Sequence, residues 1–120
     1  MLPRSLIASG LKAAVWNDAV ITDAMITRYL QLREGSRRAT AIRFQTPRFH
    51  GDVNRLHEIM VPTLIMWGDR DTFVLPENAF KFKENIRDSR VVMYKDVGHL
   101  PMEEIPHRSA ADAAAFLSGR

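Results

Sequence analysis

Apolar positions follow two regimes along the chain. Up to about residue 60 they recur at helical spacing; beyond it they gather into short continuous runs between polar loops. Leu6, Ile7, Leu11, Val15 and Trp16 predict a helix over 4–16, with Gly10 as its weak point. Met25, Ile26, Tyr29 and Leu30 share one face of a second helix. Thr22 is placed to cap it, Asp23 sits in its first turn, and Gly35 follows its end. Residues 36–45 predict a third, basic helix, Pro47 and Gly51 punctuate the chain, and 52–59 predict a short helix.

The second half alternates strand and helix. Thr63-Leu64-Ile65-Met66-Trp67 is an unbroken apolar run, the pattern of a strand buried on both faces. A polar loop over 68–76 follows, then a helix over 77–86 carrying Ala79, Phe80, Phe82, Lys83 and Ile86. Phe80 and Phe82 are two apart and cannot share a helical face, so one packs on the sheet and the other points elsewhere. Arg90-Val91-Val92-Met93-Tyr94 predicts a second strand. Strand, helix and strand within about 35 residues make a βαβ unit, parallel and right-handed by default. Pro106 opens a last helix, which the alanines at 110, 111 and 113–115 favour.

Composition changes the picture little. The 120 residues are 46% apolar and 26% charged, ordinary values for a globular chain. No run approaches the roughly 18 apolar residues of a membrane span, and the first twenty residues lack the apolar core of a secretory signal. Cysteine is absent, which excludes disulfides and thiolate metal sites and fits a cytoplasmic location. The net charge of +3 is too mild to imply nucleic acid. Residues 1–60 carry 9 Lys/Arg against 5 Asp/Glu and residues 61–120 carry 8 against 9, so the basic excess lies in the helical half.

Two loops carry the candidate chemistry. Trp67-Gly68-Asp69-Arg70-Asp71-Thr72-Phe73-Val74-Leu75-Pro76 follows the first strand, and the segment from Asp96 to Pro106, with Gly98-His99, follows the second. Ligands and catalytic groups gather beyond the carboxyl ends of strands in open α/β sheets. Neighbouring parallel strands lie about 5 Å apart, close enough for their loops to join a carboxylate to an imidazole. In such a pair the carboxylate orients the ring and stabilises its cation, so that the ring works as a general base.

Over about residues 59–118 the chain resembles the C-terminal end of an α/β-hydrolase. The resemblance rests on Pro62, Trp67, Gly68, Asp71, Val74, Gly98, His99, Pro101, Glu104 and Pro106. It implies that Asp71 is the triad acid and His99 the triad histidine. Asp69 is the rival acid, at a position the motif leaves variable, and Leu75 stands where the family often has another proline. Glu104 is structural in the motif, anchoring the loop before the final helix. The stretch Asp18 to Asp23 with Arg28-Tyr29 resembles, more loosely, the helical cap of esterase, dehalogenase and epoxide-hydrolase branches. The implied organisation is a cap segment over 1–58 and a core segment over 59–120. Caps line substrate pockets, which makes Trp16, Tyr29 and Phe44 the candidate substrate-binding residues.

The family presents its nucleophile on a Gly-x-Ser-x-Gly elbow ahead of the cap, and no such segment occurs in these 120 residues. The expectation is therefore roughly half of a hydrolase of about 250–300 residues, acting on a carboxylic ester or related bond of a small molecule and inactive alone. A serine nucleophile would favour esters, amides or carbon–carbon bonds, and an aspartate halides or epoxides. No metal or organic cofactor is implied, and neither a nucleic-acid nor a membrane partner. The alternative is a non-catalytic remnant or interaction module whose uncovered strand and helix surfaces seek a partner, itself included. His50, Asp52 and His57 lack the spacing of a helical metal site, and a solvated role fits them better. Arg37, Arg38, Arg43 and Arg48 have little aromatic interleaving and read as a solvated face, and His107 as a surface residue.

Overall fold

A computed structural model of the protein describes residues 3–35 and 53–119. Helix α1 spans Arg4–Ala14 and buries Leu11 and Ala14. Asn17 caps the 3-10 turn Asp18–Val20, its side chain accepting from the Ala19 amide at 3.1 Å. Helix α2, Asp23–Gly35, begins as its sequence predicts: the Thr22 hydroxyl accepts from the Met25 amide at 3.1 Å. Its apolar face turns inward, with Met25 buried and Ile26, Tyr29 and Leu30 half-buried. Arg4 ties the two helix starts together, donating to the Thr27 hydroxyl at 2.9 Å and pairing with Asp23 at 3.2 Å. That pair is solvent-exposed and contributes at most about 1 kcal/mol, so the apolar seam holds the helices together.

After a 3-10 turn, Val53–Glu58, strand β1 (Thr63–Gly68) runs parallel to strand β2 (Ser89–Tyr94), with Thr63 opposite Ser89 and Gly68 opposite Tyr94. Helix α3, Glu77–Asn85, is the crossover and packs on both strands. Ala79 is fully buried because only a small side chain fits where the helix meets the sheet, and Ile86 closes the same seam. Phe82 is half-buried with its ring 6.1 Å from that of Trp67, whereas Phe80 points outward. A four-residue helix α4, Pro101–Glu104, leads into helix α5, Pro106–Leu117. Tyr94 is wholly buried under α5 and donates to Asp112 at 2.9 Å.

Two features depart from the sequence reading. The β1 run was expected to be buried on both faces, yet only Ile65 and Gly68 are buried in it. Among the described residues the sheet has two strands, too few to cover a full apolar run. The helix α4 was not expected; its four residues are too short to show periodicity. The basic helix expected over 36–45 lies outside the described residues. Among the described residues no helix is long and apolar enough to cross a membrane.

Candidate active site

Two glycines let the ends of the strands close on each other. A Cβ on Gly68, the last residue of β1, would sit 2.2 Å from the carbonyl oxygens of Val97 and Gly98. A Cβ on Gly98 would sit 2.7 to 2.9 Å from backbone atoms of Ala14, Val15 and Trp16. Real Cβ atoms essentially never approach backbone so closely, so any larger residue at either position forces the backbone segments apart. Backbone bonds then lock the two loops: Asp69 N donates to Tyr94 O and Arg70 N to Val97 O, both at 2.9 Å.

The result is a direct contact between the two predicted residues. His99 Nδ1 lies 2.8 Å from Asp71 Oδ2. The Asp71 side chain is only 4% exposed, and His99 remains 37% exposed. The other Asp71 oxygen, Oδ1, accepts from the amides of Phe73 at 2.9 Å and Val74 at 3.0 Å. Burial pushes the Asp71 carboxyl up, but the Val74 amide, the His99 ring and the Phe73 amide together outweigh it and hold the group below its ordinary value. Asp71 is thus an anion at neutral pH and requires a proton on the facing nitrogen. The neutral imidazole is assigned from this network as the Nδ1–H tautomer, which leaves the Nε2 lone pair for chemistry. Nε2 has no hydrogen-bond partner among the described residues.

Asp69, the rival acid, has a different task. Its carboxylate accepts from the Asp96 amide at 2.7 Å, where the backbone turns through φ 55°, a left-handed conformation that a short polar side chain tolerates. Arg70 crosses to Asp96 at 3.0 Å, and its guanidinium lies 4.9 Å from the centre of the Trp16 ring. Asp69, Arg70 and Asp96 therefore brace the two loops beside the Asp71–His99 pair.

A cavity of about 380 Å³ opens beside His99. Leu6, Ile7, Leu11 and Ala14 of α1 supply much of its wall, with Tyr29 and Arg33 of α2 opposite and Phe73 and Leu100 beside the histidine. The Phe73 ring lies 5.2 Å from the imidazole, tilted by 45°. The lining is mostly hydrocarbon, suited to the apolar portion of a small molecule. Tyr29 lines this cavity. Trp16 is not among the lining residues and is more than half exposed beneath Arg70. Phe44, His50 and Asp52 lie outside the described residues, as do Arg37, Arg38, Arg43 and Arg48, whereas His57 and His107 are exposed. Among the described residues no three His, Asp or Glu side chains stand together as a metal site would need.

The two acidic residues of α4 reach back to the helical half. Glu103 pairs with Arg28 at 2.5 Å and accepts from the Tyr29 hydroxyl at 3.3 Å. Burial, then the Glu103 charge and hydrogen bond, raise the Tyr29 phenol above its ordinary value. Glu104 accepts from three backbone amides, those of Gly98, Trp16 and Asn17. The sequence carries a signal for the α1 wall, since Leu6, Ile7, Gly10, Leu11 and Ala14 recur at helical spacing. It carries none for Phe73, an exposed loop residue brought to the histidine by the Asp71 turn.

The chain is similar in sequence and fold to known proteins. The chain is 36% identical over 117 residues to a 2-hydroxy-6-oxo-6-(2'-aminophenyl)hexa-2,4-dienoic acid hydrolase of Metapseudomonas resinovorans, a match spanning 92% of this chain and 40% of that protein. It is 44% identical over 59 residues to Lipase 3 of Moraxella sp. (strain TA144), a match spanning 49% of this chain and 19% of the lipase. Among solved structures, a serine hydrolase involved in carbazole degradation (the CarC enzyme) superposes with a TM-score of 0.82 at 35% identity, over 98% of this chain and 48% of that one. An alpha/beta hydrolase from a lagoon-sediment metagenome shares the fold, with a TM-score of 0.60 at 21% identity over 82% of this chain and 46% of that one. The chain thus spans less than half the length of each of these four proteins. No family model matches it.

Proposed function

The chain belongs to the α/β-hydrolase family, and from that premise we propose that it supplies the acid and base of a hydrolytic triad, Asp71 and His99. The observation that carries this reading is the 2.8 Å contact between the buried Asp71 carboxylate and His99 Nδ1, with the ring at the wall of an apolar cavity. Helices α1 and α2 act as the cap side of the substrate pocket, and Tyr29 as a substrate-facing residue. The nucleophile comes from outside these 120 residues, which contain no Gly-x-Ser-x-Gly segment. Likeness to the carbazole-degradation serine hydrolase favours serine over aspartate in that place.

In this reading the His99 Nε2 lone pair takes the serine proton as its oxygen attacks an acyl carbon. Asp71 stabilises the resulting imidazolium, and the proton then passes to the leaving group. A water, deprotonated by the same nitrogen, releases the acyl product and frees the serine. The named relatives are lipases and hydrolases of oxo-dienoic acids, so the substrate is a small acyl compound with an apolar portion, cleaved at a carboxylic ester or related bond.

The test is p-nitrophenyl butyrate hydrolysis. The chain alone should show no turnover above His99→Ala. Joined behind a hydrolase half that carries a Gly-x-Ser-x-Gly elbow, it should turn over and lose roughly 10⁶-fold on His99→Ala. His99-dependent turnover by the chain alone would refute an outside nucleophile; joined turnover indifferent to His99 would refute the base.

A further inference from the structure

Arg33 is the one lining residue of the cavity that neither the acid–base pair nor the apolar walls account for. It stands four positions after Tyr29 on α2, on the same face and about 6 Å further along the helix. Apart from the His99 ring and the Tyr29 hydroxyl, the rest of the lining is apolar, and among the described residues it contains no carboxylate. Arg33 is exposed, and among the described residues its guanidinium has neither an ion pair nor a hydrogen bond. Arg28, beside Tyr29 on the same helix, is by contrast held by Glu103 at 2.5 Å and does not line the cavity. The cavity therefore joins an apolar wall, a base and a cation without a counter-charge.

We propose that Arg33 is a specificity-determining residue: its guanidinium receives a carboxylate that the substrate carries away from the bond to be cut. The apolar part of the substrate then lies against Leu6, Ile7 and Leu11, with the reacting bond turned to His99. The proposal rests on the cavity being the substrate pocket. In an apolar pocket a few placed polar groups fix a ligand's orientation, and a guanidinium suits a carboxylate because its planar fork meets both oxygens at once. A long cationic side chain can also lay its stem on an apolar wall and leave its charge in water. An arginine with that role alone would treat charged and neutral compounds alike.

The experiment titrates the full 120-residue chain with octanoate and, separately, with octanamide, which has the same length and no charge, and reads the Gly10 and Leu11 amide shifts by ¹⁵N NMR at low salt. Octanoate should bind about tenfold tighter than octanamide. Arg33→Gln should remove that advantage while octanamide binding and the strand amides of Ile65 and Val92 stay unchanged. Arg55→Gln, which takes the same charge from the turn Val53–Glu58, should keep it. The proposal is overturned if the wild-type chain shows no octanoate advantage or if Arg33→Gln retains it. Loss of the advantage in Arg55→Gln also overturns it, since net charge alone would then explain the effect. His99→Ala should keep the advantage. An advantage lost there but kept in Arg33→Gln would put the anion at the imidazole and overturn the role of Arg33, while the Asp71–His99 pair stands. If neither compound moves the cavity amides, the cavity is no pocket and the proposal falls with it, whereas the acid–base pair is judged separately by ester hydrolysis.

Discussion

Replacing Gly68 by alanine asks whether the glycine contact between the loops is what brings Asp71 to His99. The new methyl would lie 2.2 Å from two carbonyl oxygens and 2.6 Å from the Val97 carbonyl carbon. All three are backbone atoms, so no side chain can rotate out of the way. Ordinary contact begins near 3.4 Å, so one loop must retreat by about 1.2 Å. That displacement falls on the bonds that lock the loops, Arg70 N to Val97 O at 2.9 Å and Asp71 Oδ2 to His99 Nδ1 at 2.8 Å. Overpacking against a fixed wall costs typically 1–3 kcal/mol, and three backbone contacts this short argue for the upper end, about 3 kcal/mol. In a chain of this size that lowers the melting temperature by roughly 10 °C. The assay is thermal unfolding by circular dichroism, together with the His99 Nδ1 proton resonance, which should weaken or vanish. A melting temperature within about 2 °C of wild type with the His99 resonance intact would refute the packing argument.

Gly10→Ala should have the opposite sign. A Cβ there meets nothing within 4 Å, and alanine in an exposed helix gains roughly 0.5–1 kcal/mol, read as a raised melting temperature. Thr22→Ala removes the acceptor of the Met25 amide and should cost about 1 kcal/mol, read as a lower urea midpoint at unchanged slope. Burial, then the hydrogen bond to Asp112 and its charge, push the Tyr94 phenol up to about 12, against the pull of Arg108. Between pH 10 and that value the unfolded chain releases this proton and the folded chain keeps it. Stability present below pH 10 should therefore fall by roughly 2–3 kcal/mol as the pH rises, and Tyr94→Phe should remove that slope in alkaline denaturant titrations. Asp71 has the other sign: its lowered value adds stability above the ordinary carboxylate range that is lost as pH falls through the lowered value, and Asp71→Asn should flatten the acid limb.

Much of the architecture was legible because it rests on short-range patterns. The apolar run at Thr63–Trp67, the amphipathic 77–86 and the run at Arg90–Tyr94 fix strand, helix and strand to within a residue or so. Thr22 caps its helix through a hydroxyl whose reach is set locally. The contact of Asp71 with His99 followed from loop position on adjacent parallel strands, helped by the family resemblance. What stayed hidden was long-range. Glu104 sits 88 residues from Trp16, and nothing in either segment announces a bond between them. The resemblance to a cap made Trp16 a candidate for the pocket; that Arg70 lies against its ring depends on how two loops fold together. Asp69 and Asp71 were separated only by the family resemblance, whose motif leaves the Asp69 position variable. The structure distinguishes them by burial and partner: Asp71 faces the imidazole, while Asp69 faces the amide of a left-handed residue.

The central claim is that an ionised Asp71 fixes the orientation and tautomer of His99. It is tested most directly by the imidazole ¹⁵N shifts of the full chain at neutral to mildly alkaline pH. For the neutral form of the ring the account predicts a proton at Nδ1 and none at Nε2, and a shift of that balance toward Nε2–H in Asp71→Asn. A wild-type ring protonated at Nε2, or one whose tautomer ratio is the same with and without the Asp71 carboxylate, would contradict it.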